Sequence, residues 1–270
     1  MWFPPYAVIV IVHGASSTDN DGNAIILNSI SHQILPPEFS RHMAIPQITD
    51  RPLLRQRFRR AIRASNSGAR FLLDRATTDI EDRLAVVSRR FPSALVINGF
   101  SNSIPERLRR SGKIDTAFSI EPVAEAISKP DGSELVADEE HLPIAVASVD
   151  LIVSPLTLQF TNDLPGSLIQ IRQALKPDGL FLGALLGGNT LSELRHAFAE
   201  AEVNRRGGVS PRFLPLADVR DLGALLQRAG FALPVADRDI LTVRYDSAFD
   251  LMRDLKAMGS SNPLTERDTR

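Results

Sequence analysis

The chain has 270 residues, 43% of them hydrophobic and 23% charged, an ordinary globular balance with room for one large α/β domain or a domain with appendages. Its net charge of −1 gives no general attraction to nucleic acid or to an anionic membrane. The absence of cysteine excludes disulfides, thiolate nucleophiles and Cys-ligated zinc.

The five histidines, His13, His32, His42, His141 and His196, form no His-x-x-x-His or His-Glu-x-x-His pair, so no metal is expected. The apolar run Ala7–Val12 is far shorter than the roughly 20 residues of a membrane-spanning helix. It has no basic segment before it and no Ala-x-Ala-like cleavage site after it. A cytoplasmic protein without a transmembrane segment is therefore expected. Ala7–Val12 has the character of a buried strand, but Gly14–Gly22 is loop chemistry and Pro36, Pro37 and Pro46 break any longer element. Residues 1–50 are expected to be a partly irregular N-terminal extension, with a boundary near Asp50.

Residues 51–90 form the next unit, a basic amphipathic helical segment or lid. Arg51, Arg55, Arg57, Arg59, Arg60 and Arg63 interleave with Leu53, Leu54, Phe58 and Ile62, with no acid among them. One reading is a phosphate- or lipid-binding face; the other is a helix face whose arginines meet acids elsewhere in the fold. A second helix follows over Phe71–Arg90, with Leu72, Leu73, Ile80, Leu84 and Val87 as its apolar stripe.

From residue 91 to 270 the pattern alternates strand and helix. Strands are expected at Ala94–Ile97, Asp115–Ile120, Leu135–Ala137, Val149–Ser154, Leu180–Leu186 and Ile240–Tyr245, and helices at Pro105–Arg110, Leu164–Leu175 and Ala248–Met258. Lys176-Pro177-Asp178-Gly179 is a turn in which glycine supplies the permissive position. Thr190-Leu191-Ser192-Glu193 fits a capping box, Asp218 an N-cap and Gly230 a helix C-terminus. The alternation implies a doubly wound, mostly parallel α/β sheet with helices on both faces and any ligand at the carboxyl ends of the strands.

The order of short motifs over 136–188 is informative: Val136-Ala137-Asp138, Leu142-Pro143, Val149–Ser154, Gln159–Leu164 and LKPDGLFLGALLGG at 175–188. It resembles the second half of the class I S-adenosylmethionine-dependent methyltransferases of the type 11 group. FLLDRATTDIEDRL (71–84), GGVSPRFLPLADVRDLGALLQRAGF (207–231) and LMRDLKAMG (251–259) resemble bacterial relatives of a mitochondrial complex I assembly methyltransferase-like factor. The malonyl-carrier methyltransferases of biotin synthesis are more distant. Members of the group run past the position of Arg270, so a final strand or helix is expected to be missing.

The resemblance implies a Rossmann-like methyltransferase sheet and S-adenosyl-L-methionine as cofactor. The family's glycine-rich first turn falls on Ile97–Ser103, where Gly99 alone stands and Phe100 and Asn102 take places that call for small residues. Asn98, Gly99 and Ser101 can still offer hydrogen bonds, giving a modified competent turn; the other reading is a fold that has lost its cofactor. Glu121 follows the second strand, 22 positions after Gly99, near the roughly 20 expected of a ribose-binding acid; an exposed acid at a helix start is its alternative. Asp138, with Glu139 beside it, matches the family's adenine edge, although Glu139 and Glu140 also read as solvated. Ser154 lies on the cofactor side of the fourth strand end, and Leu156 and Gln159 line the substrate pocket. Asp150 is expected to order the start of its strand; His141 could serve as a base, but a lone loop histidine is more often structural or exposed. No catalytic residue is assigned.

Three functions are compatible with these residues. The first is methyl transfer to an unidentified small-molecule or protein acceptor. The second is a protein-arginine hydroxylase-like activity on the same fold. The third is a non-catalytic assembly factor for a respiratory complex subunit.

Overall fold

The computed structural model describes residues 46–97, 104–128 and 132–267, together with the backbone of residues 2–3 and 6–13. Nine strands are described: β1 (Trp2–Phe3), β2 (Tyr6–His13), β3 (Phe91–Ile97), β4 (Ile114–Glu121), β5 (Glu134–Val136), β6 (Val149–Pro155), β7 (Leu175–Leu186), β8 (Ala232–Ile240) and β9 (Val243–Arg244). The helices are α1 (Arg51–Ala64), α2 (Phe71–Val86), α3 (Ile104–Arg110), α4 (Leu164–Ala174), α5 (Ser192–Arg206), α6 (Val219–Arg228) and α7 (Ala248–Ala257).

Seven strands form one sheet in the order β5-β4-β3-β6-β7-β2-β8. The five from β5 to β7 are parallel, and β2 runs antiparallel to both β7 and β8. The short β1 and β9 pair separately. This is the doubly wound, mostly parallel α/β sheet expected from the sequence. The chain builds outward from β3 to β5, then returns to place β6 beside β3, so the strand order reverses between β3 and β6. That reversal opens the crevice in which such sheets bind ligands.

Period-two alternation distributes the strand side chains between two cores. Leu95 and Ile97 of β3 and Ile152 of β6 face α4 and α6, packing with Leu168, Ile171, Leu222 and Leu226. Ala94 and Val96 of β3 and Leu151 and Val153 of β6 face α2 and α3, packing with Ile80, Leu84 and Leu108. Both faces are covered, which is why these strands appear in the sequence as unbroken apolar runs. Asp150, at the start of β6, accepts from the Ser93 backbone N–H at 3.0 Å, the Ser93 hydroxyl at 2.6 Å and the Lys176 ammonium at 2.9 Å. It orders the strand start as expected.

Three local expectations are corrected. In the 176–179 turn the left-handed residue is Asp178, with φ 60°. Gly179 is required for a different reason: a Cβ there would lie 2.9 Å from Leu175 Cβ and from the Lys176 carbonyl oxygen. The capping box at Thr190–Glu193 does not form, because α5 begins at Ser192 with Leu191 as an N-cap that makes no side-chain bond. The strand expected at Ile240–Tyr245 is instead β8, over Ala232–Ile240, with the two-residue β9 beyond it. β8 carries Pro234 and a charged Asp237-Arg238-Asp239 run, a composition that an edge strand tolerates and a central one does not. Its acids reach α2, Asp237 pairing with Arg83 at 2.9 Å and Asp239 with Arg75 at 3.1 Å.

Helix α1 lies apart from both sheet cores. Asp50 caps it, accepting from the Leu53 N–H at 3.0 Å, and Pro52 fits its first turn, where no N–H is needed. Its apolar side, Leu54 and Phe58, packs on Val123, Ala126 and Phe160, residues from the loops after β4 and β6. The segment before it is held by the distant 261–267 stretch: Thr49 bridges Leu264, and Arg267 reaches Asp50 at 2.9 Å. Among the described residues no helix is long and apolar enough to cross a membrane.

Candidate functional site

The crevice at the strand reversal is bounded by the carboxyl ends of β3, β4, β5 and β6. Asn98, Gly99 and Ser101 lie outside the described residues. Thr157 crosses from the β6 side to the end of β3, its hydroxyl donating to the Ile97 carbonyl at 3.4 Å.

Glu121 ends β4 fully buried. Among the described residues neither carboxyl oxygen has a hydrogen-bond partner. Burial pushes its pKa up to about 9, and the nearby charge of Glu134 acts in the same direction. An orphaned buried carboxyl costs stability unless something supplies donors. The alternative of an exposed helix-start acid is thereby corrected: Glu121 is a buried residue at the carboxyl end of β4. Ser154, near the end of β6, is likewise fully buried, with its hydroxyl unpartnered among the described residues. Ser119, two residues before Glu121 and therefore on the same face of β4, is a third such group. Nothing in the sequence distinguished Ser119 from other strand serines.

Asp138 and Glu139 present the opposite case. Arg51, at the first turn of α1, donates to Asp138 Oδ1 at 2.8 Å, Glu139 Oε1 at 2.7 Å and the Phe160 carbonyl at 3.3 Å. Arg55 donates to Asp138 Oδ2, and the Glu140 N–H to Asp138 Oδ1 at 3.0 Å. Asp138 is partly buried, but the Glu140 N–H and the two arginines hold its carboxyl below the ordinary value. Glu139 is 3% exposed and Glu140 accepts from the Asn162 N–H, so neither is the solvated acid that loop composition suggested. His141 is exposed, as expected.

Three further arginines of α1 are similarly committed. Arg59 and Arg63 meet Glu125 at 3.3 and 2.9 Å, and Arg57 donates to the carbonyls of Ser261 and Asn262. Of the two readings of this basic face, the one in which arginines meet acids elsewhere in the fold holds for Arg51, Arg55, Arg59 and Arg63, with Arg51 buried rather than solvated, while Arg57 meets carbonyls instead. Composition revealed the charges; the partners sit 62 to 205 residues away and carry no local signal.

Beside the crevice, under α1, lies a cavity of about 350 Å3. Phe58, Ile62, Leu156, Gln159, Phe160 and Tyr245 are among its lining residues, so the two expected pocket residues, Leu156 and Gln159, both reach it. Leu156 sits immediately after β6 with φ 54°, a conformation that costs a side-chain-bearing residue energy and that concentrates at functional sites. The Gln159 amide nitrogen donates to the Leu156 carbonyl at 2.7 Å, while its amide oxygen is buried without a partner among the described residues. The contribution of α7 and of the Val243–Tyr245 stretch to the walls was not legible in the sequence, because these segments come together only in the folded chain. Among the described residues no three His, Asp or Glu side chains group as a metal site.

A family model described as "Methyltransferase domain" matches residues 101–183. The chain is 39% identical over 246 residues to "Arginine-hydroxylase NDUFAF5, mitochondrial" of Mus musculus, covering 87% of this chain and 72% of that protein. It is 44% identical over 135 residues to "Malonyl-[acyl-carrier protein] O-methyltransferase" of Xylella fastidiosa (strain M23), covering 50% of this chain and 44% of that one. In structure it resembles a chain of the complex between the Haloferax volcanii Trm112 methyltransferase activator and the putative methyltransferase, with a TM-score of 0.50, 19% identity, and coverage of 66% of this chain and 75% of that one. That likeness establishes the methyltransferase-type fold.

Proposed function

The chain belongs to the family of the arginine-hydroxylase NDUFAF5 proteins, and from that premise we propose that it is an enzyme that binds S-adenosylmethionine in the β3–β6 crevice and methylates an acceptor held in the adjoining cavity. One observation carries the reading: Glu121 is a buried carboxyl at a strand end with both oxygens unpartnered among the described residues. The paired hydroxyls of a ribose supply the two donors that it lacks, and charge-assisted hydrogen bonds of this kind favour the ionised acid.

S-adenosylmethionine, when bound, supplies a methyl group activated on a sulfonium. The chain's own residues bind, orient and shield. Glu121 takes the ribose, and the Ser154 hydroxyl offers a further polar contact on the β6 side. Leu156 shapes the junction between crevice and cavity, and the Gln159 amide oxygen can accept from an N–H or O–H of the acceptor. Helix α1 covers the site and limits water. Calorimetric titration of S-adenosylmethionine into demonstrably folded protein tests the reading, and absence of binding would sink it. A labelled methyl group appearing on an acceptor would complete it.

A second reading is favoured by the family itself, with 39% identity over 87% of the chain to an arginine hydroxylase. In it the cavity receives an arginine side chain of a respiratory complex subunit, and the product carries an added oxygen atom rather than a methyl group. Mass spectrometry of arginine peptides incubated with the protein, with and without iron and oxygen, separates the two. A third outcome, binding without any product, corresponds to an assembly factor. For location, the cytoplasm suggested by the sequence stands beside the mitochondrial placement in the relatives' name, and fractionation decides between them.

A further inference from the structure

We propose that Arg51 is a positioning residue for the cofactor site: it latches α1 onto the loop after β5 by holding Asp138 and Glu139. The inference rests on the reading of the crevice as an S-adenosylmethionine site.

The polar groups around the crevice fall into two sets. Glu121, Ser154 and Ser119 are buried and unpartnered among the described residues, which is the condition of groups that a ligand completes. Asp138 and Glu139 are already engaged from within the fold. Asp138 Oδ1 accepts from Arg51 and from the Glu140 N–H, and Oδ2 accepts from Arg55. Glu139 accepts from Arg51 at 2.7 Å. The arginines fix the position of the Asp138 and Glu139 carboxylates before any ligand arrives, whereas Glu121 has no partner among the described residues.

Arg51 is itself 8% exposed, and its guanidinium spans two acids and the Phe160 carbonyl. This fork-shaped contact is one that a lysine cannot reproduce, because an ammonium is a point charge. Phe160 continues the connection, meeting Phe58 of α1 edge-on with ring centroids 5.7 Å apart. Further along α1, Arg59 and Arg63 hold Glu125, four residues beyond Glu121. One helix therefore straddles the loops after β4, β5 and β6, and Arg51 is its most buried charged tie.

Two measurements on the full chain test this. Calorimetry with S-adenosylmethionine on R51Q, D138N and the double variant gives a double-mutant cycle. Each single substitution is expected to weaken binding by about tenfold, and the double variant to bind no more weakly than the worse single one. Additive losses would show that Arg51 and Asp138 act on cofactor binding independently, and would overturn the proposal. Hydrogen exchange of α1 amides in cofactor-free protein is expected to accelerate in R51Q and to recover only partly in R51K; unchanged exchange in R51Q also overturns it. R60Q, at an exposed position of the same helix, should match wild type in both measurements. If R51Q does not fold, R55Q removes one arm of the Asp138 contact and is read in the same two ways. Failure of the wild-type protein to bind S-adenosylmethionine overturns the underlying reading of the site, whereas an unaltered α1 overturns the latch alone.

Discussion

The side-chain nitrogen of Gln159 donates to the Leu156 carbonyl at 2.7 Å, and this bond fixes which end of the amide remains available as an acceptor. The oxygen left over is buried and unpartnered among the described residues, on a residue that lines the cavity. Gln159→Leu keeps the approximate volume and removes the acceptor. Because an unmade buried hydrogen bond costs roughly 1–3 kcal/mol, the acceptor KM is expected to rise by about tenfold or more. Affinity for S-adenosylmethionine, measured by calorimetry, should stay at the wild-type value. A loss of cofactor affinity instead would place Gln159 on the wrong side of Leu156.

Glu121 makes stability depend on pH in an unusual direction. Its pKa is about 9 in the folded protein against an ordinary 4.5. Between those values the unfolded chain has released a proton that the folded chain keeps. Stability should therefore fall as pH rises from about 4.5 toward about 9 and level off above. Glu121→Gln is neutral at every pH and removes this dependence, giving a gain on the order of 3 kcal/mol at neutral pH. Melting temperatures of the two proteins across this range check it. Parallel curves would show that Glu121 ionises normally.

The same group predicts a proton released on binding. Free Glu121 is protonated at neutral pH, and ribose hydroxyl donors favour its ionised form. The calorimetric enthalpy of S-adenosylmethionine binding should then depend on the ionisation enthalpy of the buffer, with protein-to-buffer transfer as the sign. Glu121→Gln should abolish that dependence and weaken binding.

Asp150 is expected to matter only to folding. It joins the starts of β3 and β6 to Lys176 through three donors. Lys176 is 39% exposed, so solvent screening discounts that arm, and the Ser93 bonds carry the effect. Asp150→Ala should cost about 1–2 kcal/mol in denaturant unfolding and leave cofactor affinity unchanged. The Asp150 pKa lies below its ordinary value because of its bonds to Ser93 and Lys176, despite partial burial. Its contribution is thus present above pH 3.8 and lost as pH falls through the lower folded value.

What the sequence made legible was periodic or punctuated. The apolar runs at β3, β6 and β7, the arginine-rich α1 and the caps at Asp218 and Gly230 follow from local spacing, and the structure has them. Glu121 was found through its distance from Gly99. Arg51 as the partner of Asp138 and Glu139 was not visible, because the contact spans more than 80 residues and arginine composition is blind to which acid it meets. β8 was missed because its edge position relaxes the rules against proline and charge that govern central strands.

The antiparallel strand β2 has a consequence for how the molecule assembles. It is flanked by residues 180–186 on one side and 232–240 on the other, so its pairings are among the most distant in sequence in the sheet. During synthesis the parallel strands β3 to β7 are available to associate long before Ile240 leaves the ribosome, and β2 cannot gain its second neighbour until then. Closing so large a loop is slow and entropically costly. Until it closes, the outer edge of β2 stands open with a full row of unpaired backbone groups, a surface on which nascent chains aggregate or exchange strands.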